Sequence, residues 1–141
     1  MEPLAFEDLP EQALLLIDSA PIIYLLEYHL KLAPRFQPLF EAHATGRLRF
    51  AVTTITIAEV LTGPLRAGDE ALARRYRATL ERWQPVEVDI DIADSAARLR
   101  ALLRLKMPDA IQAASALAIN AAAIVTHDRD FSRVHSLRVI S

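Results

Sequence analysis

Short apolar runs that recur between longer helix-forming stretches constrain the fold of this chain more than any other feature. Residues 13–17 (AlaLeuLeuLeuIle) contain no polar position, the pattern of a strand buried on both faces. Residues 48–53 alternate like a strand, and 86–90, 122–126 and 137–140 are further strand candidates. Between them, Pro21 suits the first turn of a helix that continues over 22–30. Pro34 and Pro38 punctuate a second helix, predicted to end at Gly46. A helix over 55–62 is expected to stop at Gly63-Pro64, and helix formers fill 69–83, 91–105 and 108–118. Strands alternating with helices predict an α/β fold with a parallel sheet covered by helices on both faces. In such folds ligands sit outside the carboxyl ends of the strands.

Composition removes several classes of function. At 141 residues the chain is expected to form one domain, 1–141, with residues 1–12 as an N-terminal extension of no assigned role. A net charge of −2 excludes nucleic-acid binding through the overall field and leaves it to a local patch of Arg and Lys. Without cysteine there are no disulfides, thiolate metal sites or cysteine nucleophile. The three glycines (46, 63 and 68) form no phosphate-cradling loop, which argues against an NTPase or dinucleotide enzyme. His29, His43, His127 and His135 lack zinc-protease spacing, and Trp83 and Tyr76 read as packing residues. The acidic, proline-broken N-terminus is unlike a signal peptide, and Gln112, Ser115 and Asn120 interrupt the least polar stretch. The expectation is a soluble, cytoplasmic protein with no membrane span.

Four acids stand against apolar segments: Asp18 after strand 13–17, Glu59 within 55–61, Asp109 at the start of 108–118, and Asp128 after 122–126. A buried carboxylate needs a counter-charge or a metal, and no Lys or Arg occupies a matching apolar position. A hard divalent cation is the natural partner. Each acid also has a purely structural account. Asp18 or Ser19 can cap the helix near Pro21. Thr56-x-x-Glu59 matches a capping box. Asp109 suits the positive end of its helix, and Asp128 and Asp130 suit a turn. Their joint placement at the rim of a βα sheet is what these accounts leave unexplained.

The blocks at 14–27, 56–65, 108–118 and 124–131, in that order, resemble the PIN-domain family, specifically VapC-type ribonuclease toxins. The resemblance implies a three-layer α/β/α sandwich with a central parallel sheet and a metal-dependent endoribonuclease. It maps the acidic metal site onto Asp18, Glu59, Asp109 and Asp128, with Asp130 the substitute for the last. Ser19 matches the small hydroxyl after the first acid, and Thr126 precedes the last. The implied cofactor is Mg²⁺ or Mn²⁺, with Asp18, Asp109 and Glu59 as the main cage and Asp128 binding a second ion or positioning water. The implied partners are an RNA substrate, a small antitoxin protein and a second copy in a homodimer. Residues 22–32 and 54–65 are candidate dimer or antitoxin surfaces.

Arg100, Arg104, Lys106, Arg129 and His127 are candidate phosphate contacts, weighed against a solvated charged face. Three rival readings stand beside the toxin: a PIN nuclease of RNA processing, a PIN-like binding module with an impaired site, and a response-regulator-type phosphoacceptor. The last needs a Lys after a late strand, and no Lys follows position 106.

Overall fold

A computed structural model describes residues 3–141 of the chain. Strands β1 (Ala13–Ile17), β2 (Leu48–Thr53), β3 (Gln84–Val86), β4 (Ala123–Val125) and β5 (Val139–Ile140) form one parallel sheet in the order β3-β2-β1-β4-β5. Helices α1 (Ser19–Leu26), α2 (Ala33–Ala44), α3 (Thr54–Arg66), α4 (Glu70–Leu80), α5 (Ile90–Leu103) and α6 (Met107–Ala118) fill the crossovers. A 3₁₀ turn, Arg129–Arg133, follows β4.

Period-two alternation divides each central strand between two cores. Leu15, Ile17, Phe50, Val52 and Val125 face one layer, packed with Ile22 of α1, Phe36 and Leu39 of α2, Val60 of α3 and Leu80 of α4. Leu16, Ala51 and Ile124 face the other, with Ile92 and Ala96 of α5, Phe131, and Ala110, Ala113, Ala114 and Ala116 of α6. The alanine face lets α6 lie close to the sheet. This is the three-layer α/β/α arrangement expected from the resemblance.

Several boundaries move, each for a local reason. Helix α3 does not stop at Gly63-Pro64 but runs to Arg66. Its end is a Schellman closure at Gly68 (φ +74°), with Gly68 N–H on the Leu65 carbonyl and Asp69 N–H on that of Pro64. Pro64 forfeits one helical bond but buries its ring. Helix α1 begins at Ser19, which puts Pro21 in its first turn as expected, and ends at Leu26 rather than 30, because Tyr28 (φ +53°) takes the left-handed closing position. The third strand is Gln84–Val86, not 86–90. Its register is set by Ala51, Val52 and Thr53 of β2, and Asp89 is used to cap α5. Pro85 is tolerated there because β3 is an edge strand. Gly46 (φ +82°) closes α2 as expected.

The N-terminal extension docks onto this frame. Leu9 joins the first core, and Arg47 donates to the carbonyls of Leu9 (2.5 Å) and Pro10 (2.8 Å). Arg138 grips both oxygens of Asp8 at 2.8 Å. Residues 1 and 2 of the extension lie outside the described residues. Among the described residues no helix is long and apolar enough to cross a membrane.

Candidate functional site

Parallel strands end at one rim, and helices that follow them begin there. Strands β2, β1 and β4 deliver Thr53, Asp18 and Thr126 to that rim. The Asp18 N–H bonds the Val125 carbonyl at 2.8 Å, which ties the ends of β1 and β4 together. Helices α1, α3 and α6 bring Ser19, Glu59 and Asp109. The result is an open cleft of about 690 Å³ lined by Asp18, Ser19, Glu59, Asp109 and Asp128, among others. All four acids picked out in the sequence therefore share one cavity.

The structural accounts of the acids fare unequally. Asp18 does cap α1, accepting from the Ser19 N–H at 2.8 Å, and Asp128 caps the 3₁₀ turn by accepting from the Asp130 N–H at 2.9 Å. Asp109 sits in the first turn of α6. The capping box Thr56-x-x-Glu59 is not formed. Thr53 is the N-cap of α3 and accepts from Thr56 N–H at 3.1 Å, so Thr56 is at the third helical position and Glu59 a turn further on. Glu59 is left on the cleft wall, where Ser19 Oγ donates to it at 3.4 Å.

Asp18 is held by three donors. Thr126 Oγ1 donates to one carboxylate oxygen at 2.8 Å, while the Ser19 N–H and Gln112 Nε2 (3.3 Å) share the other. Thr126 Oγ1 also accepts from the Asp128 N–H at 3.0 Å, so this fully buried hydroxyl couples two of the acids. Gln112, one turn beyond Asp109 and 2 % exposed, also donates to Thr56 Oγ1, and Thr56 is bonded to Thr53. Gln112 was not singled out as a site residue in the sequence. The available signal was its position three residues after Asp109, on the alanine face of α6.

Burial, and after it the crowding of unneutralised carboxylates, raises the pKa values of Asp18, Glu59 and Asp109. Burial pushes Asp18 up, and the Asp128 charge adds to this against the bonds from Thr126, Ser19 and Gln112. Burial and then the charge of Asp18 raise Glu59. Asp109 rises from 3.8 to about 6 through burial, then the charges of Asp128 and Asp18. One buried oxygen of Asp109, Oδ2, has no hydrogen-bond partner. Among the described residues no Lys or Arg forms an ion pair with Asp18, Glu59, Asp109 or Asp128.

Asp109, Asp128 and Asp130 each offer an oxygen within 4.8 Å of the others. Both candidates for the fourth acid thus approach Asp109, but only Asp128 lines the cleft, while Asp130 also lies 3.6 Å from Arg133. An all-oxygen donor set with an orphaned buried carboxylate oxygen fits a hard divalent cation. Of the candidate phosphate contacts, Arg129 and His127 line the cleft. Arg100, Arg104 and Lys106 do not, and Arg104 borders a separate depression with Arg133.

A family model described as PIN domain matches residues 15–137. No curated protein sequence matches the chain significantly. Similar solved structures include a toxin–antitoxin complex from Klebsiella pneumoniae, at 25 % identity and TM-score 0.71, covering 89 % of this chain and 95 % of that one. DNA-bound VapBC from Salmonella typhimurium has 18 % identity and TM-score 0.73 over 91 % and 97 % of the two chains. A Mycobacterium tuberculosis VapC, described as a toxin cleaving the sarcin–ricin loop, has 16 % identity and TM-score 0.67 over 85 % and 94 %.

Proposed function

The chain belongs to the PIN-domain family, and from that premise we propose that it is a Mg²⁺- or Mn²⁺-dependent endoribonuclease, the toxin of a VapBC-type pair. The observation that carries the reading is the convergence of Asp18, Glu59, Asp109 and Asp128 on one cleft at the carboxyl ends of the strands. The similarity to a toxin–antitoxin complex at 25 % identity supports the toxin assignment.

Asp109, Asp128 and Asp130 are the nearest to a common ligand point, and Asp18 and Glu59 add carboxylates in the same cleft. Asp18, Glu59, Asp109 and Asp128 would hold the cation or cations, with Asp130 the alternative to Asp128. When bound, a divalent ion lowers the pKa of a coordinated water and neutralises charge on the phosphoryl group. The chain's own residues prepare that site. The three donors on Asp18 fix its carboxylate before any ligand arrives, so little reorganisation remains. Ser19, which donates to Glu59, holds that side chain toward the cleft. Thr126 fixes the spacing between Asp18 and the Asp128 backbone. Arg129 supplies a cation at the mouth for backbone phosphate.

The antitoxin partner would silence the enzyme by presenting a basic side chain to the acids. Exposed Tyr28 and Leu30 after α1, and Ile55 and Leu65 on α3, support the assignment of antitoxin and homodimer surfaces to those segments. The test is RNA cleavage in Mg²⁺ or Mn²⁺ by the native chain, Asp18→Asn and Asp109→Asn. Cleavage by the native chain and its loss in both variants is expected, and equal activity in all three would sink the mechanism. Growth arrest on expression, relieved by a small protein encoded next to the gene, separates a toxin from an RNA-processing nuclease.

A further inference from the structure

Not all of the cleft is acid. Tyr24 and His127 line it too, and neither belongs to the hydrogen-bond network that holds the carboxylates. The Tyr24 hydroxyl lies 3.0 Å from His127 Nδ1, and the two rings meet edge to face with centroids 5.5 Å apart at 82°. Behind them Phe36, fully buried, lies 6.2 Å from Tyr24 and 6.4 Å from His127 and anchors both rings to the core. His29 flanks Tyr24 at 5.2 Å.

His127 itself remains exposed. Burial therefore does not account for its placement, yet its ring is held by a hydrogen bond and an aromatic backing. Such a ring is preorganised to receive a flat ligand. The wall is tied to the acids on two elements, since His127 adjoins Asp128 and Tyr24 lies on the helix that Asp18 caps. A cleft of about 690 Å³ exceeds what a hydrated ion and one phosphate need and falls within the range of sites for nucleotide-sized ligands.

Resting on the nuclease reading above, we propose that Tyr24 and His127 form a stacking subsite for the unpaired base of a nucleotide flanking the scissile phosphate. A phosphate over the acids carries its base one ribose away, within reach of a wall built beside Asp18 and Asp128. Aromatic and histidine rings stack unpaired bases, with little regard to base identity. Bases inside a duplex are already stacked and do not enter. The subsite thus selects for single-stranded segments rather than for a sequence.

The test measures binding by fluorescence anisotropy in Ca²⁺, a cation with the same oxygen-ligand preference. The probes are a labelled oligouridylate and an abasic ribose–phosphate chain of equal length. The native chain should prefer oligouridylate by about tenfold, the order of one base stacked on one ring. His127→Ala should abolish that preference, so that its loss on oligouridylate exceeds any loss on the abasic chain by about tenfold, and His127→Phe should retain the preference. An equal loss on both probes in His127→Ala, an undiminished preference, or no preference in the native chain would overturn the subsite. Metal-dependent cleavage without this preference refutes the subsite alone. The preference without cleavage refutes the nuclease and leaves the subsite standing.

Discussion

Asp109→Asn should make the metal-free protein more stable while abolishing its activity. Asp109 is the acid whose pKa is raised furthest, from 3.8 to about 6, by burial and by the charges of Asp128 and Asp18. Because the folded form binds the proton more tightly than the unfolded chain, the folded state holds more protons between these values, and stability falls as pH rises. The penalty is absent below pH 3.8 and complete above about 6. At about 1.4 kcal/mol per unit the shift corresponds to at most about 3 kcal/mol. Asp109 is only partly buried, and solvent screening reduces this to about 1–2 kcal/mol. An asparagine of the same shape removes the charge and offers an N–H to the neighbouring carboxylates.

Thermal denaturation in EDTA from pH 4 to pH 8 measures the effect. At pH 8 the variant should melt about 3–8 °C above the native chain, converging with it near pH 4. Saturating Mn²⁺ should then invert the order, since ligand at a hundredfold excess over Kd stabilises the native chain by about 2.7 kcal/mol. The variant, which lacks one of the carboxylates, should gain far less. A variant less stable than the native chain at pH 8 in EDTA, or a gain of equal size at pH 4 and 8, would refute the electrostatic reasoning.

Substitutions at four further positions test separate parts of the argument. Thr126→Val keeps the shape of a fully buried residue but strips a bond from Asp18 and from the Asp128 N–H. Urea denaturation at pH 7 should record a loss of about 2 kcal/mol. Gly63→Ala should stabilise by about 0.5–1 kcal/mol because the position is helical and an added Cβ meets only Glu27 at 3.8 Å. Gly68→Ala, at φ +74°, should cost about 1–2 kcal/mol although its surroundings are open, and opposite signs in chemical denaturation are the check. Phe131→Ala, in the turn capped by Asp128, should cost about 3–5 kcal/mol and weaken Mn²⁺ binding by calorimetry, with Phe131→Leu milder on both counts.

Much of the fold was legible because periodicity is local. The apolar run of β1 and the alternation of β2 follow from side-chain spacing alone, and the closure of α2 at Gly46 from glycine's tolerance of the left-handed conformation. The four acids were legible as candidates because each carboxylate beside an apolar segment is an energetic exception wherever it lies. Local reasoning failed where two signals competed. Gly63-Pro64 has the composition of a helix stop, but a buried Pro64 and the closure at Gly68 carry α3 onward. Thr56 and Glu59 have capping-box spacing, but Thr53 reaches the free N–H first.

By itself, then, the sequence determined that strands and helices alternate, and which carboxylates stand at the ends of apolar segments. The tertiary structure decided that these ends meet. The strand order β3-β2-β1-β4-β5 seats Thr126 against Asp18 across 108 positions of chain, and packing of α6 brings Gln112 to the same carboxylate across 94. Tyr24 and His127, 103 positions apart, meet for the same reason. No local pattern encodes such pairs, because they depend on which strands hydrogen-bond as neighbours and how closely a helix approaches the sheet.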